Sequence, residues 1–174
     1  MAATTTRVIN GVLYNIEPGV NLTNADLTNA DFSGADLTNA ILTKATLANA
    51  DLTNASLTNA SLSYADLSYA DLTNADLSGA DLTNAFGYSA TLTKANLTNA
   101  NLSGTYLTHA NLIEATLTYT TLNYTNLVET ELTKANLTKA NLTNADLTRT
   151  NLTRADLSEA DLLSLIHISE PTRP

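Results

Sequence analysis

From Leu22 to Leu162 an apolar side chain returns at every fifth residue; 27 of the 29 positions in that register are Leu, and the exceptions are Phe32 and Gly87. A second column runs two residues before each of these. From Ala25 to Ala160 it holds Ala at 23 of 28 positions and Thr at the rest, namely Thr105, Thr120, Thr125, Thr130 and Thr150. The three intervening positions are mostly polar, so the unit reads Ala-(Asp/Asn)-Leu-(Thr/Ser)-Xaa, as in residues 25–29 and 70–74. A period of five suits no single regular element. Every fifth residue lies about 140° further round an α-helix, which would wind the Leu column over its whole surface. A strand would send successive Leu to opposite faces. A chain that turns one corner per five residues instead aims every Leu at a common axis, stacked on the Leu of the next circuit. The pattern therefore predicts a solenoid.

In such a solenoid the Leu and Ala columns point inward, where a small side chain fits beside a large one, and each buried Leu contributes roughly 1.5–3 kcal/mol. The position two after Leu is most often Asn, with Gly34, Gly79 and Gly104 among the others. These are residues that accept positive φ at the third position of a type II turn. Where Lys44, Tyr64, Tyr69, Lys94, His109 or Glu114 stands there, another turn type is expected, so the corners should be mixed.

The unbroken repeat over residues 20–162, about four-fifths of the chain, resembles the pentapeptide-repeat family. The resemblance implies an all-β fold, a right-handed parallel β-helix of square cross-section. This quadrilateral solenoid has four pentapeptides per coil, hence about seven coils and a rod of about 35 Å at ~4.8 Å per strand spacing. Twenty residues per coil specify which outward side chains meet. Lys94/Glu114, Glu114/Lys134, Glu129/Arg149 and Lys139/Glu159 are opposite charges at that separation, Lys134/Arg154 are like charges, and Phe86 and Tyr106 can stack. Asp31, Asp51 and Asp71 form a ladder of like charge that destabilises unless water, cations or a basic partner offset it.

The flanks depart from the repeat. Residues 1–7 are expected to be disordered, and residues 8–19, which carry β-formers and turn signals, to form an N-terminal cap strand and entry turn. Residues 163–174 leave the pattern and resemble the in-frame translation of a transposase mosaic-end sequencing adapter, which implies a non-native tail and removes His167 from consideration. Within the repeat, Gly87 deletes one Leu without shifting the register. A local distortion is expected there, with Phe86 or Tyr88 filling the gap, and Phe86, Gly87 and Tyr88 form a candidate irregular site.

Composition agrees with the repeat. Among 174 residues there are 30 Leu and 26 Ala but only 7 Tyr, 2 Phe and no Trp, too narrow a set to fill an irregular interior. The absence of Cys excludes disulfides, thiolate metal sites and cysteine nucleophiles. His109 stands alone on a corner, eleven Asp occupy one equivalent solvated position, and no phosphate loop, dinucleotide motif or metal-ligand spacing occurs. Catalytic carboxylates need environments that push their pKa values apart, so no enzyme, cofactor or metal is expected. No apolar run nears membrane-spanning length and the start lacks a secretory pattern, which makes a cytoplasmic location the expectation.

The net charge of −9 would repel nucleic acid and anionic membranes and favours a basic protein surface, such as that of a DNA-binding protein, as partner. Charge is uneven: residues 1–86 carry nine acids and two bases, residues 87–174 eight and six. The outward column of Asp26, Asp31, Asp36, Asp51, Asp66, Asp71, Asp76 and Asp81 is the candidate acidic interaction surface. Asp or Asn before Leu also serves solubility and turn hydrogen bonding within the repeat itself. Some family members resemble B-form DNA and occupy the DNA-binding saddle of type II topoisomerases such as gyrase, so the resemblance implies DNA mimicry as one function. Those members dimerise through an apolar C-terminal helix and often carry projecting loops, features this chain does not show. A column of hydroxyls, Thr38, Thr58, Ser78, Thr98, Thr118, Thr138 and Ser158, resembles an ice-binding row, although Thr there is equally a strand former. The leading expectation is a non-catalytic structural or protein-interaction module.

Overall fold

The computed structural model describes residues 5–165. Parallel backbone bridges link residues twenty apart, from Asn21↔Ile41 through Asn141↔Asp161, so the chain closes one circuit for every four five-residue units. One unit shows how the circuits are sealed. Asp51 donates its N–H to the Ala30 carbonyl of the preceding circuit at 2.9 Å, while Leu52 and Asn54 donate to Asp71 and Thr73 of the next at 2.7 and 2.9 Å. The corner is closed by the Ala55 N–H on the Leu52 carbonyl at 3.0 Å. Each side thus contributes a single bridging residue between two corners rather than an extended strand. Among the described residues the strands proper are β1 (Thr5–Ile9) and β2 (Val12–Ile16), an antiparallel hairpin turned at Asn10 and Gly11, both with positive φ.

The interior is the Leu and Ala columns, buried from Leu22 to Leu147 with Phe32 taking one Leu place, and opening to solvent over the last circuit, where Leu152 and Leu157 are partly buried and Leu162 is exposed. Thr enters the Ala column without leaving a buried polar group unpaired. The hydroxyls of Thr105, Thr120, Thr125 and Thr130 donate to the carbonyls of Leu82, Leu97, Leu102 and Leu107, each at 2.8 Å. An unsatisfied hydroxyl there would cost about 1–3 kcal/mol.

The corners are uniform, not mixed. Lys44, Tyr64, Tyr69, Lys94, His109 and Glu114 all adopt φ between 58° and 61°, the same left-handed conformation as Asn54 at 57°. The reason is the ladder. At Lys44 the corner N–H donates to the Ser63 carbonyl and the Ala45 N–H to the Leu42 carbonyl, both at 3.0 Å. A different turn would break such bonds and turn Leu or Ala outward, which outweighs the roughly 1–2 kcal/mol of left-handed strain.

Phe86 and Tyr88 do not fill the gap at Gly87; both point outward and are about half exposed. The space is taken from the following circuit: a Cβ on Gly87 would lie 2.9 Å from Cδ2 of Leu107. The ladder runs on undisturbed, with the Gly87 N–H on the Tyr106 carbonyl at 2.7 Å. The backbone is undistorted because its hydrogen bonds do not involve the missing side chain.

The N-terminal flank is more regular than expected. Thr5–Arg7 belong to β1 instead of a disordered terminus, residues 1–4 lie outside the described residues, and residues 8–19, expected as a cap strand and entry turn, hold the end of β1, the hairpin turn and β2. Ile9 and Ile16 join the core. The Arg7 guanidinium donates to the Asp31 carbonyl, lies 3.4 Å from its carboxylate and sits 5.9 Å from the Phe32 ring centroid. Asn10 donates to the Asp26 carbonyl at 3.3 Å, so the hairpin is tied to the first circuit. At the other end, residues 163–165 continue the corner geometry although their sequence leaves the repeat. Asp161 accepts the Leu163 N–H at 3.0 Å, Ser164 has φ 57°, and the Leu163 carbonyl accepts from Asn144 at 3.1 Å. Residues 166–174, with His167, lie outside the described residues.

Replacing the exposed corner residue Tyr124 with Asn should raise stability by roughly 1 kcal/mol, read as a higher denaturation midpoint, because Asn tolerates the left-handed conformation better. Gly87→Leu should stabilise by about 1–2 kcal/mol once the flexible end of Leu107 withdraws. A lower melting temperature for Gly87→Leu would mean that Leu107 cannot give way.

Candidate interaction surfaces

The residue before each Leu points outward at the start of a side, and Asp or Asn there has a local task. The Oδ1 atoms of Asp26, Asp31, Asp36, Asp51, Asp66, Asp71, Asp76 and Asp81 each accept the backbone N–H two residues on, at 2.9–3.1 Å. Asn96, Asn101 and Asn111 do the same, so the corner needs an acceptor and not a charge. Ionisation is nevertheless favoured where the donors are good. The hydroxyl and N–H of Thr28 hold Asp26 below its ordinary carboxylate value, and those of Ser33, with Arg7, do so at Asp31. At Asp76 partial burial opposes ionisation, yet the N–H and hydroxyl of Ser78, the hydroxyl of Thr58 and the amide of Asn96 together hold the carboxyl below the usual range.

The bridges sort these eight Asp onto all four sides of the solenoid. Asp81 lies in the column from Asn21, Asp26 and Asp66 in the next, Asp31, Asp51 and Asp71 in the third, and Asp36 and Asp76 in the fourth. They form a belt round the first half rather than one patch, and only Asp31, Asp51 and Asp71 are bridged in an uninterrupted ladder. Among the described residues Asp31 alone of the eight is ion-paired, to Arg7.

The second half is partly neutralised by its own bases. All four opposite-charge pairs expected at separation twenty form: Lys94–Glu114 at 3.9 Å, Lys134–Glu114 at 3.0 Å, Lys139–Glu159 at 3.6 Å and Arg149–Glu129 at 2.9 Å. Lys134, hydrogen-bonded to Glu114, holds that carboxyl low, with Lys94 adding to the effect; the Tyr119 hydroxyl and then Glu159 raise Lys139. Exposed pairs of this kind contribute tenths of a kcal/mol each. Their consequence is electrostatic: acid is partly offset in the second half, where Glu114, Glu129 and Glu159 are paired and Glu131, Asp146, Asp156 and Asp161 have no ion pair among the described residues, and is least offset in the first.

The hydroxyl column is engaged within its own side. Thr38 meets the Ser56 hydroxyl at 2.9 Å, Thr58 donates to Asp76 at 3.3 Å, and Thr98 and Thr138 donate to Asn96 and Asn136, both at 2.7 Å. These four of the seven hydroxyls in the column thus have partners on their own side.

The aromatic residues gather beyond the one pair that the twenty-residue spacing predicts. Phe86 and Tyr106 stack as expected, centroids 5.4 Å apart and planes within 6°. Beside them, Tyr69 meets Tyr88 edge to face and Tyr88 meets His109 likewise, each at 5.4 Å. These separations are 19 and 21 residues; only a search one residue either side of the coil length would find them. The Nδ1 of His109 lies 3.2 Å from Glu129. Among the described residues no group of His, Asp and Glu is placed to hold a metal ion, and no helix is long and apolar enough to cross a membrane.

The family model for pentapeptide repeats matches the chain in overlapping segments from residue 18 to residue 162. The chain belongs to the pentapeptide-repeat family. Among solved structures it is similar to a pentapeptide repeat protein from the cyanobacterium Cyanothece 51142, with 35% identity over 55% of this chain and a TM-score of 0.45. The match spans 63% of the Cyanothece protein's length. HetL, a pentapeptide repeat protein involved in heterocyst differentiation regulation in Nostoc sp. strain PCC 7120, is 27% identical over 86% of this chain and 90% of its own, with a TM-score of 0.39. QnrB1, a plasmid-mediated fluoroquinolone resistance protein, is 23% identical over 83% and 71%, with a TM-score of 0.41. No curated protein matches the chain.

The lowered carboxyls set a pH dependence. A folded pKa below the unfolded value near 3.8 adds stability above that value, and the gain is lost as pH falls through the folded pKa. Melting temperature should therefore drop in acid below about pH 4. Asp156 is held low in the same way, by the hydroxyl and N–H of Ser158. The triple substitution D26N/D76N/D156N keeps the corner acceptors and should make that drop shallower; an unchanged slope would contradict the assignment.

Proposed function

We propose that this member of the pentapeptide-repeat family is a non-catalytic interaction module, a right-handed four-sided rod of about seven coils whose outward columns engage a partner with a basic protein surface. The observation that carries the reading is the unequal neutralisation of charge. Basic residues pair along the columns of the second half, whereas seven of the eight Asp in the first half have no ion pair among the described residues. Every outward column is also relieved of work in the core, since burial rests on the inward Leu and Ala. Such a rod offers charge at fixed spacing on a rigid support, which favours association rate and selectivity more than raw affinity.

A second reading, acidic DNA mimicry toward a type II topoisomerase, is favoured by the distribution of Asp over all four sides, which presents negative charge around the rod as a duplex does. The two readings separate experimentally. Binding to a basic DNA-binding protein should weaken steeply with salt and should fall about tenfold or more when Asp36, Asp51, Asp66, Asp71, Asp76 and Asp81 are changed together to Asn. Affinity insensitive to those changes would refute an acidic interaction surface. Inhibition or protection of gyrase supercoiling at micromolar protein would select the mimic, and unaltered supercoiling with no retention of gyrase subunits would dismiss it.

A further inference from the structure

The second side of the rod carries a feature that neither the core nor the repeat requires. Its outward column reads Asp26, Thr46, Asp66, Phe86, Tyr106, Asn126 and Asp146, so two stacked rings interrupt a column that is otherwise polar. Phe86 is 46% exposed and Tyr106 50%. Single exposed rings are ordinary, but these have others close by in the chain. Tyr88, two residues from Phe86 across Gly87, joins Tyr69 and His109 through edge-to-face contacts. A stacked pair and an edge-to-face trio thus lie two residues apart in the chain, four exposed aromatic rings and an imidazole in the middle of the rod.

Carboxylates border it. Asp66 is bridged directly to Phe86 and has no ion pair among the described residues; Glu129 lies beyond His109. Rings edged by a carboxylate suit one chemical group above others. A guanidinium is planar and weakly hydrated, lies on an aromatic face and directs its N–H fork to a carboxylate, while an ammonium holds its water more tightly. The chain itself contains that arrangement: Arg7 lies against the Phe32 ring and pairs with Asp31.

We propose that Tyr69, Phe86, Tyr88 and Tyr106, with Asp66, form a docking surface for an arginine-bearing extended segment of a basic partner. The proposal rests on the interaction-module reading and gives its partner a residue preference that net charge alone cannot supply.

Calorimetric titration of the full chain with octa-arginine and octa-lysine tests it. Octa-arginine should bind about tenfold more tightly than octa-lysine. The variant F86N/Y88T/Y106N uses residue types that occupy the same columns at Asn126 and Thr108, so circular dichroism and melting should show an intact fold, and its net charge is unchanged. It should lose the arginine preference while binding octa-lysine as before. Tyr69→Asn alone, at a corner that accepts Asn elsewhere, should lose part of it. An arginine preference that survives the triple substitution would overturn the patch and leave the basic-partner reading standing. A parent protein that binds neither peptide would overturn both. Should sedimentation show a dimer that the triple variant converts to monomer, the patch serves a second copy of the chain and the proposal falls.

Discussion

The N–H of Leu57 is donated to the carbonyl of Asp76, nineteen residues ahead, at 2.7 Å, and the same bond recurs at one Leu after another along the rod. Everything else in the molecule is arranged around that ladder. It fixes a circuit of twenty residues, aligns Leu above Leu, and places the residue before each Leu in a parallel bridge with its counterpart. Because the bond joins backbone groups, it does not depend on the side chain at any one position. Gly87 keeps its ladder bond without a Leu side chain, and residues 163–165 keep a corner without a repeat sequence. Local deviations are absorbed by side chains, as where Leu107 moves into the space beside Gly87.

This explains which features could be read from the sequence. Inward columns and the pairing of Lys94, Glu114 and Lys134 follow from a period of five and a circuit of twenty, so both were legible. Corner conformation was not. Tyr64 and Lys94 prefer other turns in isolation, but each is one residue in a ladder whose bonds and burial outweigh its preference. The filling of the Gly87 gap was misread for a related reason: the nearest residues in sequence, Phe86 and Tyr88, are directed outward by their place in the unit, and the filler comes from a circuit away. The hairpin start at Thr5 escaped notice because Thr-Thr-Arg carries no apolar alternation; its anchoring depends on Arg7 reaching Asp31 across the chain.

The candidate surface was legible in its members and not in its shape. Eight Asp recur in one column of the unit, which suggests one face. The circuit distributes them over four sides, and the same carboxylates that offer charge also close corners. Asn performs that corner task equally well, so the choice of Asp over Asn in the first half is not required by the fold. The aromatic group on the second side is the converse case. Its members are scattered through residues 69–109 and adopt contact only when circuits stack.

The inter-circuit ladder, not the preference of individual corner residues, determines this structure. Native-state hydrogen exchange resolved to single amides tests it most directly. The corner amides of Lys44, Tyr64, Lys94 and Glu114 should be as strongly protected as those of Asn54 and Asn74, because all donate to the carbonyl nineteen residues on. Fast exchange at the Lys, Tyr and Glu corners beside slow exchange at the Asn corners would contradict it.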